Sequence, residues 1–261
     1  MDYGIVYAIA KKDLEEAFSS IEIYGPMIGI PLFFAIMLPI FTVYVSQYAG
    51  TQIAQRIIGT MALTQPVQAN KLAFIKYFAL NILGPIFLTM PIITASVIAA
   101  DSFAGEKERK TSEALLSSPV TTQELFVGKI LASAIPAFLV TLGVFIIYGG
   151  IIDYFSITEY SVALFPNQIW YLMLANSPFL IIATIGLVVV VSSKVKGIKE
   201  AQQISALLAL PIFLMPFVAV FNVLAFTPAF FIYLLIFLIF LSFAILSAGI
   251  KSFKKENLIA P

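Results

Sequence analysis

The residues best equipped for chemistry lie in one stretch, Asp101–Lys129, which reads DSFAGEKERKTSEALLSSPVTTQELFVGK and mixes both charge signs densely. Ion pairing and helix capping are what these types support. Glu106 and Lys110 stand at the i,i+4 spacing of a helix-supporting pair, Thr111 can start a short helix through Leu116, and Pro119 disfavours helical geometry at Ser118. Thr121 and Glu124 form a capping-box pattern that opens the next helix. The spacing therefore predicts a short interfacial helix between two breaks. A nucleotide site is excluded: Gly128-Lys129 is preceded by Gln123 where a phosphate-cradling loop needs its first Gly, and is followed by Ile130. The chain has no His and no Cys, which removes imidazole acid–base chemistry, thiolate nucleophiles, disulfides and most transition-metal sites.

The elements that must carry this loop are apolar. Of 261 residues 61% are hydrophobic and 11% charged, with a mean hydropathy of +1.01, where a soluble domain carries about 25% charged residues. This composition needs lipid to cover it. A spanning helix takes about 20 apolar residues, and such runs occur at 24–45, 77–100, 130–152, 169–191, 204–224 and 230–250. The sequence thus predicts an all-α integral membrane protein of six transmembrane helices, a single domain over 1–261. The fifth and sixth spans are parted by a Pro-containing break at Ala225–Pro228. Basic residues set the orientation: twelve of the fifteen fall before the first span, between the second and third, after the fourth and at the C-terminus. Both termini and the loops 101–129 and 192–203 are accordingly expected on the cytoplasmic side of the plasma membrane. No role is assigned to the outer loop 46–76. The charges Lys11, Lys12, Asp13, Glu15 and Glu16 argue against a cleaved signal peptide.

No ionisable residue sits in the middle of a predicted span; Glu22, Asp101 and Lys129 are at the edges. That disfavours an ion-coupled mechanism, which needs intramembrane charge. The sparse neutral polar residues, among them Thr42, Asn81, Thr89, Thr94, Ser96, Ser133, Thr141, Asn176, Ser177, Thr184 and Ser205, are expected to hydrogen-bond between helices. Nine prolines inside the spans remove backbone hydrogen bonds that neighbours must replace. Ahead of the first span, residues 1–23 predict an amphipathic elbow helix along the membrane surface. Val6, Tyr7, Ala10, Leu14, Ala17, Phe18 and Ile21 share one face, Lys11, Lys12, Glu15, Glu16 and Ser19 the other, and Asp13 falls off the pattern.

The run Gly105–Val120 (GEKERKTSEALLSSPV), followed by Glu124-Leu125 and Gly128-Lys129, resembles the signature of type-2 ATP-binding-cassette exporter permeases. A second patch, Ser192–Gln203 (SSKVKGIKEAQQ), is similar to that family's loop between its fourth and fifth spans. The resemblance implies that the charged loop is a coupling helix docked on a separate nucleotide-binding subunit. Gly105, Glu106, Glu108, Arg109, Thr111, Glu113, Leu115 and Leu116 would lie at that contact, with Pro119 ending the helix. Lys110 departs from the family, which more often has Gly there. The resemblance further implies an ABC ATPase partner that carries ATP and Mg, none of either on this chain, and a second permease subunit, identical or different. It also implies export by alternating access.

Membrane lipid is the remaining expected partner. A net charge of +1 gives no field for nucleic acid. A passive channel or scaffold tolerates the neutral spans equally well. An intramembrane enzyme is disfavoured, because no carboxylate, Lys or His stands at membrane depth. Neutral spans mildly favour a hydrophobic or amphiphilic cargo, whose identity the sequence does not give.

Overall fold

A computed structural model describes residues 2–48, 71–72, 75–109, 120–192, 197–207, 210–211, 214 and 227–252. Among them there is no strand. In chain order the helices are α1 (Tyr3–Ser19), α2 (Ile21–Tyr48), α3 (Ile75–Gly105), α4 (Thr122–Tyr160), α5 (Gln168–Ser192), α6 (Ile198–Ala206) and α7 (Pro228–Ser252). Five of these, α2, α3, α4, α5 and α7, are long and apolar enough to cross a membrane, and they cover the expected first, second, third, fourth and sixth spans. The expected span 204–224 lies mostly outside the described residues, as does the loop 46–76.

α3 is the axis of the bundle. Within its most apolar stretch 88% of residues are buried, against 28% for α2 and 17% for α7, so the outer helices leave most of their apolar surface uncovered by the rest of the chain. α2 and α1 pack on α4, α7 packs along α5, and the middle of α3 lies against both α4 and α5. At 1.5 Å per residue α4 is about 58 Å long, nearly twice the hydrocarbon thickness. It therefore overruns the expected span 130–152 at both ends.

α3 is not a uniform α-helix. Phe78–Leu83 is π-helical, Gly84–Leu88 is 3-10, Thr89–Ala100 is α and Asp101–Gly105 is π again, with one more α turn at Glu106–Glu108. Pro85 has no N–H to donate, so the ladder must change register there. The fully buried Tyr148 of α4 donates its hydroxyl to the Ala79 carbonyl at 3.1 Å, beside this change.

Two other prolines show their compensation directly. Pro31 leaves the Met27 carbonyl without its i+4 donor, and Thr94 Oγ1 of α3 donates to it at 3.3 Å. Pro178 does the same to Leu174, and Ser177 Oγ supplies the bond at 2.7 Å. Thr94 bonds between helices as expected, and so does Asn176, which donates to Phe231 of α7 at 3.2 Å. The other described hydroxyls correct the expectation: Thr42, Thr89, Ser96, Ser133, Thr141, Ser177 and Thr184 all donate to carbonyls three or four residues back in their own helix. A short side chain reaches its own preceding turn more easily than a neighbouring helix.

Candidate functional site

One end of the bundle is polar, and its geometry begins at Ser20. That residue is extended (φ −107°, ψ 119°) and separates α1 from α2, while its carbonyl accepts the Ile23 and Tyr24 N–H groups at 3.0 Å each. α1 is thereby turned back against α4. Contact is closest at Gly128, where a Cβ would stand 2.8 Å from Ile9 Cγ2 and 3.2 Å from the Val6 carbonyl. Any side chain there would push the helices apart. The capping box forms as expected: Thr121 Oγ1 accepts the Glu124 N–H at 3.3 Å and Glu124 Oε2 accepts the Thr121 N–H at 3.1 Å. Its other oxygen accepts the Asp2 N–H at 2.6 Å, fastening the start of α1 to the start of α4.

The buried face of α1 differs from the expected one. Val6, Ala10, Asp13 and Ala17 point inward, whereas Tyr7 and Phe18 are exposed, and Ile21, expected on the same face, is exposed at the start of α2. Asp13, the residue off the amphipathic pattern, is thus on the packed side. It has partners there: Ser102 Oγ donates to Asp13 Oδ2 at 2.6 Å, and Lys129 Nζ lies 3.6 Å from the same oxygen.

Lys129 is the hub. Its side chain is 1% exposed, and the ammonium lies 2.7 Å from Glu106 Oε1, donates to the Ser102 carbonyl and hydroxyl, and sits 5.3 Å from the centre of the Phe103 ring. Three segments are joined through one cation: α1 by Asp13, the end of α3 by Ser102 and Glu106, and α4 by Lys129 itself. Burial pushes the Glu106 carboxyl above the ordinary carboxylate range, and the Lys129 ammonium opposes the shift. A second bridge lies nearer solvent: Arg109 pairs with Glu16 of α1 and donates to Asp101 Oδ1 at 2.6 Å. Lys12, 59% exposed, stands 3.7–3.9 Å from Asp13, Glu16 and Glu106. The space enclosed between Asp13, Asp101, Glu106 and Arg109 is about 10 Å³, room for one water at most. The cluster is a packed tie and has no room for a ligand. Among the described residues no group of His, Cys, Asp and Glu could hold a metal ion.

The expected contact residues fall into two sets. Gly105, Glu106, Glu108 and Arg109 are brought together at this end. Gly105 packs on α6, where a Cβ would stand 3.3 Å from Ile198 Cδ1 and 3.0 Å from Asp101 Oδ1. Glu108 Oε2 accepts the Ile198 N–H at 2.9 Å, so the charged segment after α3 caps α6, which contains the second half of the Ser192–Gln203 patch. Thr111, Glu113, Leu115, Leu116 and Pro119, like Lys110, lie outside the described residues. Sequence reasoning missed Asp13, Asp101, Ser102 and Lys129 as members of the cluster. The available signal was an acid at the i+7 position from Val6 on an otherwise inward face, together with a Lys at the edge of a span.

Comparison with known proteins agrees with this architecture. A family model described as ABC-2 family transporter protein matches residues 7–228. The ABC transporter permease protein NatB of Bacillus subtilis (strain 168) is 33% identical over 143 residues. That alignment covers 52% of this chain and 36% of NatB, so the chain spans well under half of that relative.

Proposed function

The chain belongs to the ABC-2 family of transporter proteins, and from that premise we propose that it is the transmembrane permease subunit of an ATP-driven exporter. It moves substrate by alternating access between itself and a second permease subunit, identical or different. ATP and Mg act on a separate ABC ATPase. The observation that carries this reading is the Lys129 tie, which makes α1, the end of α3 and the start of α4 one mechanical unit directly beside the charged loop. Work delivered to residues 106–119 by a docked ATPase would displace all three helices together. Through Glu108 it would reach α6 as well. The same reading makes α1 the membrane-surface elbow, puts both termini and the polar end in the cytoplasm of a plasma-membrane protein, and makes residues 105–119 the coupling helix with its ATPase contact. Its support is the twelve-of-fifteen basic bias toward that end and the exposed apolar edge Tyr3, Tyr7 and Phe18 of α1, suited to lipid.

The test replaces Leu115 and Leu116 together by Asp. Two carboxylates at an apolar docking contact would lose the ATPase, so co-purification and nucleotide-dependent transport should both fail while membrane insertion is unchanged. Normal co-purification and transport would sink the proposal, and substrate flux without nucleotide would mark a passive channel.

A further inference from the structure

The end of the bundle opposite Lys129 contains an open cavity of about 340 Å³ between α4 and α5. This is within the range of small-ligand sites. Gly149 and Gly150 of α4 make room for it, and a Cβ on Gly150 would meet nothing within 4 Å. Phe165 and Trp170, with ring centres 4.7 Å apart, supply aromatic surface. Ile146 and Tyr171, 66% and 57% exposed, line its open side.

One charge reaches this apolar lining. Asp153 Oδ1 accepts the N–H groups of Leu164 and Phe165 at 2.7 and 2.9 Å, which folds the segment after α4 back over the groove. No Lys or Arg occurs between Asp153 and Gln168, and among the described residues none pairs with Asp153. Depth matters as well. From Lys129 to Asp153 α4 runs about 36 Å, slightly more than the hydrocarbon thickness. Asp153 is thus at headgroup level while Ile146, about 10 Å back along the helix, is at acyl-chain level.

We infer that this groove binds a single-chain quaternary ammonium amphiphile that enters it from the bilayer. The carboxylate of Asp153 pairs with the cationic head, the accessible rims of Phe165 and Trp170, 7% and 6% exposed, give it an aromatic wall, and the alkyl tail lies along Ile146. The inference is independent of ATP coupling and of which leaflet the groove faces.

Trp170 is the protein's one tryptophan, so fluorescence excited at the red edge, where the tyrosines do not absorb, reads the groove alone. The full chain in maltoside micelles is titrated with 2-bromododecyltrimethylammonium, whose bromine lies next to the head group, and with the sulfate and alcohol of the same brominated tail. Saturable quenching is expected from the ammonium, with half-saturation about tenfold below the other two. Asp153→Asn keeps an oxygen for the Leu164 and Phe165 N–H groups but removes the charge, and should raise the ammonium's half-saturation to that of the alcohol. Gly150→Leu fills the groove and should abolish saturable quenching, with thermal melts verifying that both variants fold. Equal quenching by all three head groups, an unchanged Asp153→Asn titration, or saturable quenching that persists in a folded Gly150→Leu would each overturn the assignment.

Discussion

Replacing Lys129 by Met should be the most damaging conservative-volume change at the polar end. The wild-type ammonium is 1% exposed and serves Glu106, Asp13 and two oxygens of Ser102. Met fills most of the same space, so packing loss is small. What remains is two carboxylates, 6% and 11% exposed, facing each other with only the largely solvated Lys12 ammonium, 3.7 and 3.9 Å away, as a cation. Breaking a buried pair by removing one partner costs about 3–5 kcal/mol. Lys12→Met provides the comparison, because Lys12 touches Asp13, Glu16 and Glu106 but is 59% exposed, and surface pairs are worth about 0–1 kcal/mol. Unfolding in mixed micelles should place Lys129→Met several kcal/mol below wild type and Lys12→Met within about 1 kcal/mol of it. Adding Glu106→Gln and Asp13→Asn to Lys129→Met should recover most of the loss, since no unpaired charge is then left. Equal stability of the two lysine variants, or no recovery in the triple variant, would refute the account of Lys129 as a buried tie.

Gly128→Ala should loosen α1 from α4, because its Cβ would be 2.8 Å from Ile9 Cγ2; a cost of about 1–3 kcal/mol and faster proteolysis of the N-terminal segment are expected, and wild-type resistance would contradict the contact. Thr94→Val should cost about 1 kcal/mol by orphaning the Met27 carbonyl beside Pro31, whereas Thr141→Val, which leaves only an intrahelical bond unmade, should cost less in the same unfolding assay.

Five of the six expected spans were legible in the sequence because their apolar composition is dictated by the bilayer, although the length of α4 is not, and the Thr121–Glu124 box was legible because capping is local. Facing was legible only in part. Tyr7, Phe18 and Ile21 share the apolar character of Val6 and Ala10, yet they are exposed. In a membrane both the lipid-facing and the protein-facing surfaces are apolar, so hydrophobicity alone does not tell them apart. A charge does. An acid on lipid would be prohibitively costly, so the inward face of α1 is the one that contains Asp13, the residue that spoils the amphipathic pattern. Lys129, at the edge of a span, carries the same information from the other partner: a cation buried to 1% must have an acid within reach. The hydroxyls gave no such signal, since Thr141 bonding its own helix and Thr94 bonding its neighbour are both satisfied and look alike in sequence. Thr94 differs only in what faces it, the carbonyl freed by Pro31 some sixty residues earlier, a pairing that exists only once α2 and α3 are packed. What the sequence leaves open here is therefore which neutral partners meet, while its few buried charges already point to the surfaces that must touch.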